Sequence, residues 1–160
     1  MTDFVIGCTH FGHKNIIRLA NRPFSSVKEM DETMIEAWNA EVKPHDTVYH
    51  LGDFAFRGDP PEKYAAKLNG RLITIQGNHD PKGWGRDMLT IKVNNTRIVL
   101  CHYPIEEWDG WWRGALHFHC HTHKAEFRSA ERRGNVGVDA VGWAPVKIED
   151  AMAQLLETAQ

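Results

Sequence analysis

The sequence predicts an α/β fold, in which short strands alternate with helices around a layered core. Apolar runs rich in β-branched and aromatic residues lie at residues 3–7, 46–51, 71–76, 97–101 and 116–120, and such runs are typical of buried strands. Segments with helical periodicity lie among them, and polar residues follow the end of each run. Because α/β proteins build ligand sites at the ends of strands, the same pattern predicts where a site would form.

The longest predicted helix is marked by its periodicity and by its first residues. Residues 27–42 place Met30 and Met34 on one face, which predicts an amphipathic helix. Ser25 or Ser26 can cap its first turn, since serine is a favoured residue at that position.

Two shorter helices, a hairpin and a last strand complete the predicted elements. Paired prolines open a helix at residues 60–68, because proline is tolerated in the first turn. A pair of asparagines separates residues 89–93 from residues 97–101, as in a hairpin. We expect a short strand at residues 136–138 and a C-terminal helix at residues 148–158.

The composition is that of an ordinary globular protein and argues against a membrane or duplex nucleic acid as a partner. The chain has 160 residues, and we expect residues 1–160 to form a single domain. It has no long apolar run that could span a membrane, and its first residues lack the pattern of a secretory signal, so we expect a cytoplasmic protein. The net charge of −2 shows no basic excess, which argues against extensive binding of duplex nucleic acid.

Five clusters of polar residues follow predicted strand ends. They contain Cys8 with His10, Asp53, Asn78 with His79 and Asp80, His102, and His121 with His123. Each cluster alone has an ordinary alternative, because Gly-Asp and Asn-His-Asp are common in turns. However, ten histidines are many for this length, and histidine is the commonest metal ligand. The joint occurrence of the clusters therefore favours one shared metal site.

The order of these motifs resembles that of the calcineurin-like metallophosphoesterases. The matching series is Thr9-His10, Gly52-Asp53, Gly77-Asn78-His79-Asp80, His102 and His121-Thr122-His123. The segments Asn21-Arg22-Pro23-Phe24 and His102-Tyr103-Pro104 resemble a small bacterial and phage-type branch of the superfamily. The resemblance implies a four-layer αββα sandwich, the metallo-dependent phosphatase-like fold, with a dinuclear metal centre between its two sheets.

The resemblance also implies a role for each cluster. Asp53 would bridge two divalent ions. The remaining ligands would be His10 and His123 for the first ion and Asn78, His102 and His121 for the second. His79 would lie beside the scissile phosphate, with Asp80 orienting its ring.

This ligand set is suited to the hydrolysis of a phosphate ester. Two ions about 3.5–4 Å apart can clamp a phosphoryl group, and they lower the pKa of water to around 7. The resulting hydroxide can attack phosphorus, and a protonated His79 could donate to the leaving group. We expect a phosphodiester or a nucleotide-type ester as the substrate. Manganese, zinc and iron remain alternatives for the two ions, and the oligomeric state is left open.

Cys8 departs from the family pattern, which has an aspartate two residues before His10. A thiolate has the same charge as the missing carboxylate and would favour zinc over manganese or magnesium. We therefore predict that Cys8 is a ligand of the first ion. The alternative is a weakened first site, which would make the chain a catalytically weakened binding module with the fold of the family.

Two further residues are candidates for contact with a substrate. His13 could face the site or cap the helix that follows it, and Arg22 could bind a phosphate oxygen through a bidentate contact. Three tryptophans, Trp108, Trp111 and Trp112, could stack on a nucleobase or pack against a neighbouring strand.

Overall fold

The structure is a computed structural model, and it describes residues 1–157. Its strands are β1 (Asp3–Ile6), β2 (Thr47–His50), β3 (Arg71–Thr74), β4 (Met88–Val93), β5 (Thr96–Cys101), β6 (Leu116–His119), β7 (Arg128–Ala130), β8 (Arg133–Asn135) and β9 (Val146–Lys147). Its helices are α1 (Lys14–Leu19), α2 (Val27–Glu41), α3 (Pro61–Ala65), α4 (Val138–Val141) and α5 (Ile148–Glu157), with a 3₁₀ turn at Trp111–Arg113.

The strands form two sheets. The first sheet has the order β3-β2-β1-β9, in which β1, β2 and β3 are parallel and β9 is antiparallel to β1. The second has the order β4-β5-β6-β8-β7, in which β5, β6 and β8 are parallel. Because parallel strands end at the same edge, the loops after β1, β2 and β3 leave the first sheet together, and those after β5 and β6 leave the second sheet together.

Alternating side chains of the first sheet face two different cores. Phe4, Ile6 and Val48 share a buried cluster with the apolar face of α2. Val5 and Leu51 belong to the cluster that lies between the two sheets, as the two-residue period of a strand requires. Two sheets that pack face to face and are flanked by helices confirm the predicted αββα arrangement.

The first turn of α2 is capped by Ser26 rather than Ser25. The hydroxyl oxygen of Ser26 accepts the Glu29 N–H at 3.1 Å. The Glu29 carboxylate in turn accepts the N–H and hydroxyl of Ser25. These reciprocal bonds satisfy backbone groups that a helix start would otherwise leave unpaired.

The predicted strand at residues 136–138 is wrong. β8 ends at Asn135, whose side-chain oxygen accepts the Gly137 N–H at 3.0 Å, and α4 begins at Val138. The helix predicted for residues 60–68 is shorter, with α3 ending at Ala65. The final residue of the predicted C-terminal helix, residue 158, lies outside the described residues.

Within residues 1–157, none of the helices has both the length and the apolar character that a membrane span requires.

Candidate metal centre

The ends of the parallel strands bring the predicted clusters together. The His10 N–H, in the loop after β1, donates to the Asp53 carbonyl in the loop after β2 at 2.9 Å. In the second sheet, the Cys120 N–H donates to the His102 carbonyl at 3.0 Å. His102 Nε2, from the second sheet, lies 3.4 Å from Asp53 Oδ2, from the first, so side chains of the two sheets meet at one edge of the sandwich.

One group of candidate ligands consists of Asp53, His102 and His121, whose ligand atoms lie within 4.8 Å of one another. The Nε2 atom of His102 lies 3.4 Å from Asp53 Oδ2 and 3.1 Å from His121 Nδ1. Asn78 joins this group, because its Oδ1 atom lies 2.9 Å from the same nitrogen. Three predicted ligands thus surround His102 Nε2.

The tautomer of His102 is fixed by the other nitrogen of its ring. The Nδ1–H donates to the Leu51 carbonyl at 2.8 Å, so a neutral ring has its lone pair on Nε2. That lone pair faces the oxygens of Asn78 and Asp53, which also have lone pairs to share. A cation would stabilise this convergence of acceptors, and a backbone carbonyl that holds the second nitrogen is usual for a metal-ligating histidine.

A second group consists of Cys8, His10 and His123, whose ligand atoms also lie within 4.8 Å of one another. His10 Nε2 lies 3.4 Å from Asp53 Oδ2. Among the described residues, this buried nitrogen has no partner in hydrogen-bond geometry. Buried polar atoms are normally paired, so the unpaired nitrogen fits a metal ligand whose partner is an ion.

A third combination of Cys8, His102 and Cys120 is equally compact but chemically less suitable. The Cys120 thiol donates to the Leu51 carbonyl at 3.2 Å, the same oxygen to which His102 Nδ1–H donates. Burial raises the pKa of Cys120, which disfavours the thiolate that metals require. The two groups around Asp53 are therefore the better candidates.

The charge states of the site are those that metal ligands need. Burial lowers the pKa of His10 to about 4, so its ring is neutral near pH 7. Burial would raise the pKa of Asp53, but the neighbouring rings of His10 and His102 outweigh this effect and hold the pKa well below its usual range. The site thus combines a neutral imidazole with an ionised carboxylate.

Cys120 occupies space that a glycine leaves free. A Cβ atom at Gly7 would lie 2.5 Å from the Cys120 sulfur, so a side chain at position 7 would displace it. Cys120 and Cys101 are both buried, and each directly precedes a candidate ligand, His121 and His102. Cys120 does not have a positive φ, so it needs no glycine-like backbone conformation.

Asp80 anchors the loop that contains Asp53. Its Oδ2 atom accepts the N–H groups of Asp53 and Gly77, and its Oδ1 atom accepts that of Phe54, each at 2.8 Å. This arrangement corrects the expectation that Asp80 orients the ring of His79, because both oxygens are directed at backbone donors. Asp80 instead holds the backbone on which the Asp53 carboxylate depends.

Five of the candidate ligands have left-handed backbone conformations. The φ angles are 52° at Cys8, 51° at His10, 52° at Asp53, 65° at His121 and 54° at His123. This conformation costs about 1–2 kcal/mol for a residue with a Cβ atom, and strain of this kind concentrates at functional sites. The sharp turns aim side chains from two sheets at one point, and the surrounding fold must hold them there.

A buried ion pair supports the first group of ligands. The Arg22 guanidinium is bound to the carboxylate of Asp139 at 3.0 and 3.1 Å, and Asp139 Oδ2 accepts from His123 Nδ1 at 2.8 Å. The other Arg22 hydrogen bonds go to the carbonyls of Thr9 and Cys8 and to the sulfur of Met30. One guanidinium thereby joins the loop after β1 to the residue that orients His123.

These contacts correct the expectation that Arg22 binds a substrate phosphate. All five of its N–H donors are directed at protein acceptors, and the residue is 4% exposed. Asp139 was not predicted as a site residue. The available signal was its place directly after the apolar residues 136–138, the same kind of position that marked the other clusters.

A cleft of about 390 Å³ opens onto both groups of ligands. Its polar lining consists of His10, His13, Asp53, His79, His121 and His123. The His79 N–H donates to Asp53 Oδ1 at 2.9 Å, while its exposed ring lies 5.6 Å from that of His10. His13 is the N-cap residue of α1, but its side chain makes no capping hydrogen bond; its Nδ1 instead lies 3.2 Å from His10 Nδ1.

The three histidines that lie within strands have structural roles. His50 lies between the Thr9 hydroxyl and the Gly52 N–H, and the rings of His117 and His119 each contact partners through both nitrogens.

Trp108 is buried and donates to the Ala115 carbonyl at 3.0 Å. None of the three tryptophans is among the described residues that line the cleft, which favours the packing alternative for Trp108.

Strain at His123 predicts an unusual response to glycine. In metal-free protein, we expect His123→Gly to be more stable than His123→Ala by about 0.5–1 kcal/mol, because only alanine retains the penalty of the left-handed conformation. Urea unfolding of both variants measures the difference. The same pair of substitutions at exposed Lys124, which lacks a positive φ, is the control and should not favour glycine. A His123→Ala variant as stable as His123→Gly would show that the turn is not strained.

The contact between Asp139 and His123 predicts an effect on metal affinity. Asp139→Asn should weaken binding of a divalent ion about 10- to 100-fold, the usual effect of losing a group that orients a metal ligand. Competition with a chromogenic chelator measures the affinity, and circular dichroism checks the fold. Asp109→Asn, which removes a surface carboxylate that is 63% exposed, should have no effect. Unchanged affinity in a folded Asp139→Asn protein would contradict the orienting role.

Comparison with known proteins gives the family. The sequence profile of calcineurin-like phosphoesterases matches residues 2–158. The uncharacterized protein MJ1445 of Methanocaldococcus jannaschii is 35% identical over 162 residues, covering 96% of this chain and 90% of that protein. The Gene 66 protein of Mycobacterium phage L5 is 29% identical, covering 83% of this chain and 84% of its own length.

Solved structures show the same fold. The protein of unknown function AQ665 from Aquifex aeolicus superposes with a TM-score of 0.79 at 24% identity, covering 97% of this chain and 99% of its own. Wild-type Vps29 from Entamoeba histolytica, complexed with zinc, has a TM-score of 0.51 at 16% identity, covering 90% of this chain and 77% of its own. Because the profile spans nearly the whole sequence, this chain belongs to the calcineurin-like phosphoesterase family.

Proposed function

We propose that this protein hydrolyses a phosphate ester, of phosphodiester or nucleotide type, with two divalent metal ions held around Asp53. The observation that supports this most strongly is the convergence of two ligand groups on one carboxylate oxygen. Asp53 Oδ2 lies 3.4 Å from the Nε2 atoms of both His10 and His102. A carboxylate between two histidines from different sheets is suited to serve two ions at once.

Each ion would have its own set of side chains in addition to Asp53. The proposed ligands are Cys8, His10 and His123 for the first ion, and Asn78, His102 and His121 for the second. When bound, the ions would neutralise phosphoryl oxygens and lower the pKa of water to around 7. The protein holds the ligands in place through the Leu51 carbonyl at His102 and through Asp139 at His123.

His79 is proposed to act on the substrate without binding metal. Its backbone N–H is bonded to Asp53 Oδ1, which fixes the residue beside the ligands. Its ring packs edge-on against Phe56, with 4.8 Å between ring centres, and lines the cleft. From this position, a ring nitrogen can donate a proton to the oxygen of the departing alcohol, or stabilise its charge by a hydrogen bond.

The position of Cys8 supports a complete first site over the weakened binding module. Its sulfur lies in the group with His10 and His123, where the family pattern has a carboxylate. The same sulfur accepts the His121 N–H at 3.0 Å, which ties Cys8 to the loop that carries two further proposed ligands. Thiolate and imidazole ligands together suit zinc better than manganese.

Removal of metal, or of the Asp53 charge, should abolish hydrolysis. A chelator should stop turnover of bis-p-nitrophenyl phosphate, and added zinc or manganese should restore it. Loss of a group that orients a metal ligand usually lowers activity about 10- to 100-fold. Asp53→Asn should lower kcat by more than this, since it weakens the binding of both ions. Asp109→Asn is the surface control. Substantial activity in metal-free protein or in Asp53→Asn would refute the proposed role of Asp53.

His79→Ala should separate catalysis from metal binding. We expect kcat to fall by roughly 10²–10⁴-fold, the usual scale for general acid catalysis, while the metal content per chain stays unchanged. Elemental analysis and steady-state kinetics measure the two effects. His45→Ala, at a side chain that is 70% exposed, is the control. Loss of an ion from His79→Ala would instead make His79 a ligand.

Substitutions at Cys8 should change the metal preference of the first site. Cys8→Asp should shift the affinity ratio from zinc towards manganese, because a carboxylate is the harder ligand. Cys8→Ser should weaken one of two binding events, since a neutral hydroxyl is a poor ligand. Titration with each metal by calorimetry resolves the two sites. If neither substitution alters either site, Cys8 does not bind metal.

A further inference from the structure

One side of the cleft is apolar. Ile16, Leu19 and Ala20, at the end of α1, and Phe56, after β2, line the cleft together with the candidate metal ligands. These four residues are called the apolar wall below. Ile16, Leu19 and Ala20 are three and four positions apart, so they lie on one face of the helical turn.

Leu19 is the exposed part of the apolar wall. Leu19 is 66% exposed, whereas Ile16 is 4% exposed and contributes to the core. A single exposed leucine is common on protein surfaces. Leu19 differs in that it shares one cleft with Phe56 and with ligands of the first proposed ion.

Phe56 is held in place by aromatic contacts with two histidines of the cleft. Its ring centre lies 4.2 Å from that of His13 and 4.8 Å from that of His79. The Arg57 guanidinium lies 5.3 Å from the same ring centre. These contacts fix an aromatic surface beside the proposed site of proton donation, so that a group attached to a phosphate at the ions would reach it.

The charges of the lining limit what the apolar wall can hold. Among the described residues that line the cleft, Asp53 is the sole acid and none is a lysine or an arginine. A charged or strongly polar group that was buried against leucine, isoleucine and phenylalanine would lose water without gaining a partner. An uncharged apolar group would gain from the contact.

We propose that the apolar wall binds the uncharged apolar ester group of the substrate. The inference rests on the proposed function, since the phosphate bound at the ions would bring its ester group to the wall. It assigns Leu19 and Phe56 to substrate selection. It therefore predicts preference among phosphate esters of equal charge according to the apolar surface of their ester groups.

The test compares two monoanionic diesters, diphenyl phosphate and dimethyl phosphate. Calorimetry on the zinc-loaded or manganese-loaded protein measures the dissociation constant of each, at a temperature at which ³¹P NMR detects no hydrolysis during the titration. Leu19→Ser should weaken binding of diphenyl phosphate about tenfold, the equivalent of 1.4 kcal/mol, and leave dimethyl phosphate unchanged. Leu19→Met, which retains an apolar side chain, should keep the preference. Leu156→Ser, at a leucine of α5 that is 49% exposed, is the matched control.

The outcomes separate this inference from the proposed function. Equal weakening of both diesters, no weakening of either, or no preference for diphenyl phosphate in the unsubstituted protein would overturn the role of the wall. Selective loss of diphenyl phosphate binding in Leu19→Ser supports it even in a protein that shows no turnover. That result would support the role of the apolar wall and refute the proposed hydrolytic function.

Discussion

The Asp53 carboxylate is the constraint on which the rest of the site depends. One of its oxygens faces the Nε2 atoms of His10 and His102, and the other accepts the His79 N–H. Burial opposes ionisation of this carboxylate, but the neighbouring rings of His10 and His102 outweigh the effect of burial and hold the pKa of Asp53 below its usual range. Backbone bonds to Asp80 hold the loop in its left-handed turn, so that the fold keeps the charge at this point.

The backbone strain that this geometry requires is distributed over loops of both sheets. Five candidate ligands have left-handed backbone conformations, which persist only where the surrounding structure holds the loops in place. Arg22 opposes relaxation, because one buried guanidinium joins the loop after β1 to Asp139 and thereby to His123. The ion pair orients ligands, and all five Arg22 donors are bound to protein acceptors. The open side of the cleft is left to His79 and to the apolar wall.

The sequence is informative wherever a functional residue directly follows the end of a strand. His10, Asp53 and His102 could be placed because parallel strands end together, and the motif order gave the family. Arg22 and Asp139 are 117 positions apart, and no local pattern shows that two such residues pair. The role of Asp80 is hidden from the sequence for a similar reason, since its partners are backbone groups that only the folded loop presents. The short edge strands β7 and β9 lack the length that makes periodicity visible.

The shared role of Asp53 is tested most directly by the position of bound metal in crystals of the protein grown with zinc or manganese. Anomalous difference maps recorded at the absorption edge locate each ion without reference to activity. The proposed role of Asp53 predicts two peaks that share its carboxylate. One would be bound by Cys8, His10 and His123, and the other by Asn78, His102 and His121. A single peak, or an ion held by Cys8, His102 and Cys120 without Asp53, would contradict it.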